Sequence, residues 1–201
     1  MMQAILINGS CNQMGDTHKM LSIVEAHLAK HGADVELVHA AGLLADLNPP
    51  YCTDCGDDCV GSCYEGTALE GFFRRLARAD IVIAGSPVYF GTVSAPLKGM
   101  WDLTRTLRKE KSLLYTVGAA MSVGGGRFGG QETTVRAIHD MMFIQGMIIV
   151  GDSNSESIGH QGVCATTGVD TAAEERLKVL SRAVIDVGAA TMTLRTAKGR
   201  C

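Results

Sequence analysis

The sequence has no long apolar stretch and no block of like charge. No apolar run approaches the roughly 20 residues that a membrane-spanning helix requires, and the amino-terminal segment lacks the basic region of a secretory signal. Lysine and arginine together number 18, against 21 aspartates and glutamates, and the two signs are interspersed. A surface for nucleic acid or for an anionic membrane is therefore not expected. These absences predict a cytoplasmic protein.

Two catalytic patterns are also missing. No glycine-rich turn is followed by the Gly-Lys-Ser/Thr of a Walker phosphate loop. The sequence also shows no Ser-His-Asp or paired-carboxylate arrangement of the kind that hydrolases use. His160 and Cys164 have no recognisable catalytic partner in the sequence, so we interpret both as loop residues.

Short apolar runs alternate with amphipathic segments along the chain. An apolar run without polar alternation is typical of a strand that is buried on both faces, as in a parallel sheet. Strands are predicted at 4–7, 34–39, 81–84, 113–119 and 147–150. Helices are predicted at about 16–30, 67–79, 95–108, 131–145 and 171–194. We therefore predict an α/β fold with one doubly wound, five-stranded parallel sheet and helices on both faces.

The whole chain, residues 1–201, is predicted to form one domain with a cysteine-rich insert at about 48–64. No internal repeat or low-complexity linker divides it. Residues 152–169 are predicted to form a long polar loop, and residues 198–201 a frayed tail.

The predicted strand at 81–84 is followed by a turn with two large rings, Tyr89 and Phe90. Pro87 removes a backbone donor and restricts the preceding residue to an extended conformation, so we expect the strand to stop there. Open α/β sheets bind ligands at the carboxyl ends of their strands. We therefore consider Tyr89 and Phe90 as ligand-binding residues, with packing against the core as the alternative.

A polar, glycine-punctuated loop connects the first predicted strand to the first helix. This arrangement places backbone N–H groups and the positive end of the helix dipole around a space that suits a phosphate. The polar side chains at this junction are Ser10, Asn12, Asp16 and Thr17. Because a carboxylate is an unusual neighbour for phosphate, helix capping is the alternative role for Asp16. A glycine-rich turn without a ligand is the alternative for the whole loop.

A second glycine-rich loop follows the predicted fourth strand and matches a dinucleotide fingerprint. Gly124 to Gly129 read G-x-G-x-x-G, and Asp152 lies about where a ribose-binding carboxylate is sought. The fingerprint normally opens the first βαβ unit, whereas here it lies far into the chain. A dinucleotide site is therefore the second hypothesis for this loop. The first is that the glycines let backbone N–H groups approach a flat ligand.

Four of the 7 cysteines form a C-x2-C-x3-C-x3-C pattern; they are Cys52, Cys55, Cys59 and Cys63. In a cytoplasmic α/β protein, this density indicates metal or redox chemistry rather than structural disulfides. Four closely spaced thiolates are typical of a [4Fe–4S] cluster. Zinc sites more often pair two C-x2-C knuckles across a longer span. The cluster is the first hypothesis, with zinc and metal-free thiols as alternatives.

Three stretches together resemble those of the NAD(P)H-dependent FMN reductases. They are Gly9-Ser10-x4-Gly15-Asp16-Thr17, Ser86-Pro87-Val88-Tyr89-Phe90-Gly91 and Gly129-Gly130-Gln131-Glu132. With its four clustered cysteines, the chain is similar to the iron–sulfur flavoprotein branch of that family. The resemblance implies a flavodoxin-like fold and an FMN cofactor.

The resemblance also implies roles for individual residues. The first loop would bind the FMN phosphate through Ser10, Asn12, Gly15, Asp16 and Thr17. The next would lie along the isoalloxazine through Pro87, Val88, Tyr89, Phe90 and Gly91. The third would close over the ring through Gly124, Gly125, Gly126 and Gly129. The cluster would be ligated by Cys52, Cys55, Cys59 and Cys63.

The activity that the resemblance implies is electron transfer from NAD(P)H or another donor to a small acceptor: a quinone, a nitro compound, a flavin or a metabolite. The cofactor carries this chemistry, so no catalytic acid or base is assigned. One alternative is a non-enzymatic electron carrier that serves a ferredoxin-like protein. Another is a sensor whose cysteines form switchable disulfides. The family also implies a homodimer or homotetramer.

Overall fold

Strands and helices alternate along the chain in a computed structural model that describes residues 1–197. Residues 198–201, for which a frayed tail is predicted, lie outside the described residues. The strands are β1 (Gln3–Asn8), β2 (Asp34–His39), β3 (Ile81–Pro87), β4 (Val117–Gly124), β5 (Ile148–Ile149) and β6 (Val163–Thr166). The helices are α1 (Asp16–Lys30), α2 (Ala40–Leu43), α3 (Ala68–Leu76), α4 (Ala95–Asp102), α5 (Arg105–Lys109), α6 (Gln131–Ile144), α7 (Thr171–Ala190) and α8 (Met192–Thr196). A 3₁₀ turn covers Ser62–Tyr64.

The sheet is parallel, and its strand order is β2-β1-β3-β4-β5. On β1, Leu6 pairs with Leu37 of β2 on one side and with Ile83 of β3 on the other. This is the strand order of the flavodoxin-like doubly wound fold. The prediction of a five-stranded doubly wound sheet is therefore confirmed.

Two apolar layers cover the two faces of the sheet. One layer joins the strands to α1 and α7 through residues such as Leu21 and Leu180. The other joins them to α3, α4 and α6 through residues such as Phe72, Leu97 and Ile138. Since both faces are covered, the central strands β1, β3 and β4 are buried along nearly their whole length, as expected for a parallel sheet.

The fifth position in the sheet is shared by two short strands. β5 pairs with the start of β4, and β6 pairs with its end, both in parallel. The prediction of an uninterrupted loop at 152–169 is therefore wrong, and Cys164 lies in a strand. The four residues of β6 alternate between buried and exposed, and so short an alternation is a weak signal. Between the two strands, the buried Asp152 carboxylate accepts from the Arg176 side chain at 2.6 Å.

The predicted strand at 113–119 lies too early in the chain. β4 begins at Val117 and continues to Gly124, into residues that were predicted as loop. Tyr115 has a φ of 66°, which a strand residue does not adopt. Its N–H donates to the carbonyl of Gly146, outside the sheet ladder.

One predicted helix, at 95–108, is two helices, because α4 ends at Asp102 and α5 begins at Arg105. Thr104 lies at the break, where its hydroxyl donates to the Trp101 carbonyl at 2.6 Å. The same hydroxyl accepts from Gln145 Nε2 at 2.6 Å. This side chain competes with the regular helix bonds and separates α5 from α4. The last predicted helix, at 171–194, is likewise divided into α7 and α8.

Within residues 1–197, no helix is both long and apolar enough to cross a membrane.

The buried centre of β3 should carry much of the stability. Ile83 is fully buried between β1 and β4, and Ile83→Ala should lower the free energy of unfolding by about 2–5 kcal/mol. Ile158 is exposed, so the matched control Ile158→Ala should change it by less than about 0.5 kcal/mol. Urea unfolding of both variants without cofactor measures the difference. Equal effects would contradict the assigned core.

Acid should destabilise the fold through buried histidines. Burial lowers the pKa of His139, and its Nε2 atom is buried without a hydrogen-bond partner among the described residues. The unfolded chain therefore binds a proton here more readily than the folded one, so stability should fall as the pH drops below about 6.5. Urea unfolding from about pH 7.5 to 5.5 should show a shallower pH dependence in His139→Leu than in the parent protein. An equally steep dependence would exclude this histidine as a contributor.

Candidate functional site

Three loops leave the carboxyl ends of β1, β3 and β4. Loop 1 comprises residues 9–15, loop 2 residues 88–94 and loop 3 residues 125–130. Because these strands are neighbouring and parallel, all three loops lie at one edge of the sheet. Each residue predicted to bind FMN lies in one of these loops or at the end of a flanking element.

Loop 1 is bonded to β3 and to the end of loop 2. The Gly9 N–H donates to the Gly85 carbonyl at 2.8 Å, and the Ser94 hydroxyl donates to the Gly9 carbonyl at 2.5 Å. A Cβ added to Gly9 would lie 2.9 Å from both the Gly85 oxygen and the Leu97 Cβ. Only glycine therefore fits this approach. Thr17 is buried beneath the loop and directs its methyl group toward Gly85.

Side chains shape the interior of loop 1. The Ser10 N–H donates to Asn8 Oδ1 at 2.9 Å, and the Asn12 N–H donates to Ser10 Oγ at 3.1 Å. These bonds form successive turns in which the polar side chains replace backbone acceptors. Cys11 and Asn12 are exposed on the outer side of the loop.

The first turn of α1 completes the predicted phosphate site. Gly15 is its N-cap residue and has an extended backbone, so the capping role considered for Asp16 is wrong. The first N–H groups of a helix have no intrahelical acceptor and suit an anion. The Asp16 carboxylate accepts instead from Lys19 Nζ at 3.0 Å and from the Gly168 N–H at 3.2 Å. These two donors lower the pKa of Asp16, and its phosphate-binding role stays a prediction.

An imidazole pair supports Asn8 from below. Asn8 Nδ2 lies 3.1 Å from His39 Nδ1, and the His39 ring stacks on the His18 ring with centroids 5.5 Å apart. Burial, followed by the nearby His18, lowers the pKa of His39. A neutral His39 accepts the Asn8 N–H, which leaves Asn8 Oδ1 directed at loop 1.

Loop 2 projects its rings from a tight turn. The backbones of Tyr89 and Thr92 exchange hydrogen bonds of 3.0 and 3.2 Å. Between them, Phe90 and Gly91 have φ values of 52° and 78°, and two successive positive values are typical of a type I′ turn. Phe90 is fully exposed and Tyr89 about half exposed. These rings therefore do not pack in the core, which was the alternative.

The base of loop 2 is bonded to β4 and to α4. The Val88 N–H donates to the Val123 carbonyl at 2.8 Å, next to Pro87 at the end of β3. The Ser94 N–H donates to Ser86 Oγ at 3.0 Å. Ser94 is also the N-cap residue of α4, so one serine joins both loops to the helix.

Gln131 fills the inside of loop 3. Its Nε2 donates to the Gly126 carbonyl at 2.6 Å, and its Oε1 accepts from the Gly129 N–H at 2.9 Å. A Cβ added to Gly124 would lie 2.6 Å from this Nε2 atom. In contrast, a Cβ added to Gly125 or Gly126 meets nothing within 4 Å in the described part of the chain. These two glycines leave room for a ligand, whereas Gly124 must lack a side chain because Gln131 fills the loop.

Loop 3 is joined to loop 2 through the start of α6. The Thr133 hydroxyl lies 2.7 Å from the Gly91 carbonyl. Gly130 has a φ of 93°, and a Cβ added to it would lie 3.0 Å from the Gly91 Cα. Loop 3 also carries an exposed Phe128, whose ring centroid lies 5.8 Å from the Arg127 guanidinium. All three loops are thus in contact.

A cavity of about 850 Å³ lies beside loop 3, between the start of α6 and the end of β6. Arg127 brings a cation to its wall, Thr133 and Thr166 bring hydroxyls, and Glu132 and Asp170 bring carboxylates. A wall of this mixture suits a polar ligand.

The cysteine segment, residues 48–64, lies against α5 through side-chain contacts at Asp54, Asp58 and Tyr64. Its four cysteines are free thiols, and residues 1–197 contain no group of three or more His, Cys, Asp or Glu side chains that could bind a metal ion. Burial, and then the neighbouring Cys59, raises the pKa of the Cys63 thiol; Cys55 and Cys52 add to it. The metal-binding role of the four cysteines stays a prediction.

Three positioning residues were not predicted from the sequence. Ser94 stands just before Ala95-Pro96, and that N-cap signal was available. Asn8 pairs in register with His39, so polar residues at neighbouring strand ends were a weaker signal. Gln131 had no local signal, because its role depends on the loop that folds around it.

Comparison with known proteins agrees with this geometry. The family model for NADPH-dependent FMN reductase matches residues 2–161. An iron–sulfur flavoprotein of Methanocaldococcus jannaschii is 38% identical over 154 residues, which are 76% of this chain and 78% of that protein. A quinone-type NAD(P)H dehydrogenase of Trichlorobacter lovleyi is 39% identical over 78 residues, covering 39% of this chain and 38% of that protein.

The fold also matches solved structures. A WrbA-like flavodoxin from Agrobacterium tumefaciens superposes with a TM-score of 0.66 at 18% identity, covering 94% of this chain and 99% of that one. At this identity the likeness concerns the fold alone. Together, the three joined loops, the family match over residues 2–161 and the sequence relatives show that the chain belongs to the iron–sulfur flavoproteins of the NADPH-dependent FMN reductase family and is an FMN-dependent oxidoreductase.

Proposed function

We propose that this oxidoreductase moves electrons from NAD(P)H to a small acceptor, with FMN bound across loops 1–3 and a [4Fe–4S] cluster as one-electron relay. The observation that carries the proposal is the contact of all three loops at one sheet edge. There, the helix start of α1 offers N–H groups, while Gly125 and Gly126 leave open space beside exposed rings. FMN, when bound, supplies the exchange between two-electron and one-electron transfer.

The residues present fit FMN. Loop 1 and the first turn of α1 would bind the phosphate with backbone N–H groups, for which α1 also supplies a favourable dipole. Tyr89 and Phe90 would pack along the isoalloxazine, and the open N–H groups of Gly125 and Gly126 would face its polar edge. Since the ring would be covered by loops on one side, its other side would stay open to a donor.

The cavity beside loop 3 is the proposed place for the donor. A nicotinamide nucleotide is polar and anionic, and Arg127 with the hydroxyls of Thr133 and Thr166 would bind its phosphate and ribose groups. The acceptor class stays open among quinones, nitro compounds, flavins and metabolites. A relative named as a quinone-type NAD(P)H dehydrogenase supports a quinone among them.

The cysteine segment is the proposed cluster site. Soft thiolates are the ligands that iron–sulfur clusters require, and the segment supplies four of them within 12 residues of sequence. The relative named as an iron–sulfur flavoprotein supports this choice. Zinc and metal-free thiols are the alternatives.

The second candidate function is an electron carrier without a small substrate, in which a ferredoxin-like protein exchanges electrons with the cluster. We also propose a cytoplasmic location, where thiols stay reduced, and an assembly of two or four copies. The exposed rings of Phe90 and Phe128 support such an assembly, because a second copy would remove them from water.

The cofactors are tested by a visible spectrum of protein purified without oxygen, with flavin, iron, sulfide and zinc assayed on the same sample. We expect flavin bands, a broad cluster absorbance, and about four iron and four sulfide per chain. Flavin with zinc, or flavin with no metal, would remove the relay from the proposal. No flavin after reconstitution with FMN would contradict the FMN site itself.

Steady-state oxidation of NADH and NADPH distinguishes the enzyme hypothesis from the electron-carrier hypothesis. We expect turnover with quinones, nitro compounds or free flavin as the added acceptor. Turnover only when a reduced or oxidised ferredoxin is the partner would favour the carrier.

Loop 1 is tested by a single methyl group. In Gly9→Ala, the new Cβ would meet the backbone oxygen of Gly85, so loop 1 must move away from β3. FMN binding should weaken about tenfold or more, which corresponds to about 1.4 kcal/mol. Gly42→Ala is the control, because its Cβ meets nothing within 4 Å in the described residues. Flavin fluorescence titration measures both, and an unchanged Kd in Gly9→Ala would contradict the phosphate site.

A further inference from the structure

Helix α5 contacts the cysteine segment at three places. The Arg105 guanidinium donates to the Asp54 carboxylate, and Lys109 Nζ donates to the Asp58 carboxylate. Between these two cations, Thr106 Oγ1 shares a hydrogen bond of 2.6 Å with the Tyr64 hydroxyl. A helix of five residues thus bonds to the segment at three positions from Asp54 to Tyr64.

Each of the three contacts adjoins a cysteine. Asp54 directly precedes Cys55, Asp58 directly precedes Cys59, and Tyr64 directly follows Cys63. The fourth cysteine, Cys52, is partly buried and packs against the apolar layer on this face of the sheet. The contacts with α5 therefore lie beside three of the four thiols.

The geometry of α5 suits this match. Arg105 and Lys109 are four residues apart, so their side chains project from the same side of the helix about one turn apart. The segment follows that side and presents its two carboxylates to the two cations. Both carboxylates and Lys109 are exposed, so water and salt compete with each contact.

The segment has few other restraints. Of its large side chains, Tyr51 and Val60 are exposed, whereas Tyr64, just past Cys63, is buried against Phe73. Gly61 has a φ of 78°, and a Cβ added to it would lie 2.4 Å from the Tyr64 hydroxyl. The turn at Gly61 therefore packs on the same tyrosine that Thr106 binds. Between Cys52, which packs against the core, and the buried Tyr64, polar contacts with α5 position the segment.

We propose that α5 is the platform that orders the four thiols for metal uptake, with Arg105 and Lys109 as positioning residues. Four thiolates repel one another when they converge, and two cations beside them reduce that repulsion. The three contacts also remove conformational freedom that the segment would otherwise lose when it binds a metal. The platform's role in loading rests on the proposed cluster.

The first test measures thiol reactivity in the metal-free protein, under anaerobic conditions, with 5,5′-dithiobis(2-nitrobenzoate). Arg105→Gln and Lys109→Gln should each slow labelling of the segment about two- to fivefold, and the double variant more, because the reagent is an anion and each substitution removes a cation beside the thiols. Arg182→Gln is the matched control, since it removes an exposed pair with Asp186 on α7. The control should label like the parent protein.

Varying the salt concentration distinguishes an electrostatic effect of the two cations from a general loss of stability in the variants. Between about 0.01 M and 1 M salt, the Debye length falls from about 30 Å to about 3 Å. The difference in labelling rate between the parent protein and the double variant should be largest at low salt and should shrink as the salt rises, because screening removes the effect of the two cations. The urea midpoints of the double variant and the Arg182→Gln control should agree. Labelling that is independent of salt in both proteins would overturn the proposal.

The second test is metal uptake from iron and sulfide, or from zinc, followed by metal analysis. The double variant should load more slowly and to a lower content than the parent. The exchanged pair Asp58→Lys with Lys109→Asp should recover loading relative to Asp58→Lys alone. A loaded parent with a double variant that loads and labels equally well would overturn the platform and leave the cluster standing. A parent that takes up neither iron nor zinc would overturn the cluster, and the loading role with it.

Discussion

At Gly9 the backbone of loop 1 passes within 2.8 Å of the Gly85 carbonyl, and the geometry of the cofactor loops depends on that approach. The Gly9 carbonyl accepts from the Ser94 hydroxyl. Ser94 in turn caps α4 and donates its N–H to Ser86 Oγ. Thr133 then joins loop 2 to loop 3. The loops consequently form one hydrogen-bonded unit, in which a displacement at one strand end is transmitted to the others. A ligand that spans them would meet a site arranged in advance.

The charges around loop 1 follow a consistent arrangement. The Asp16 carboxylate is satisfied by Lys19 and the Gly168 N–H, so its charge is offset without a ligand. Burial lowers the pKa of His39, which favours the neutral ring that accepts from Asn8 Nδ2 and leaves Asn8 Oδ1 directed at the loop. An anion at the helix start would therefore meet N–H donors rather than an unpaired carboxylate.

The cysteine segment is ordered by different forces. The cofactor loops rest on buried strands, whose register is determined by apolar packing on both faces. The segment rests on ion pairs and one buried tyrosine. Exposed ion pairs contribute little to stability, so this part of the molecule gains most from a ligand that joins its thiols. This difference suits the two proposed sites, because the FMN site would be formed by the fold and the cluster site would be completed when metal binds.

Several features were predictable because their causes are local. The buried runs identified β1 and β3, and the glycine and proline at strand ends located the loops where a parallel sheet binds ligands. Other features depend on distant partners. The break before α5 requires Gln145 to bond Thr104 across 41 residues, and β6 becomes a strand because the long β4 offers it a free edge.

The sequence by itself determined the fold class, the three loops and the four-cysteine pattern, since periodicity, turn residues and residue type are properties of a few neighbouring positions. Only the tertiary structure decided that Gln131 fills loop 3, that Gly9 must lack a side chain and that α5 meets the cysteines. These facts depend on which surfaces the packed core brings together. Contacts of that kind join residues far apart in the chain, so no local pattern encodes them.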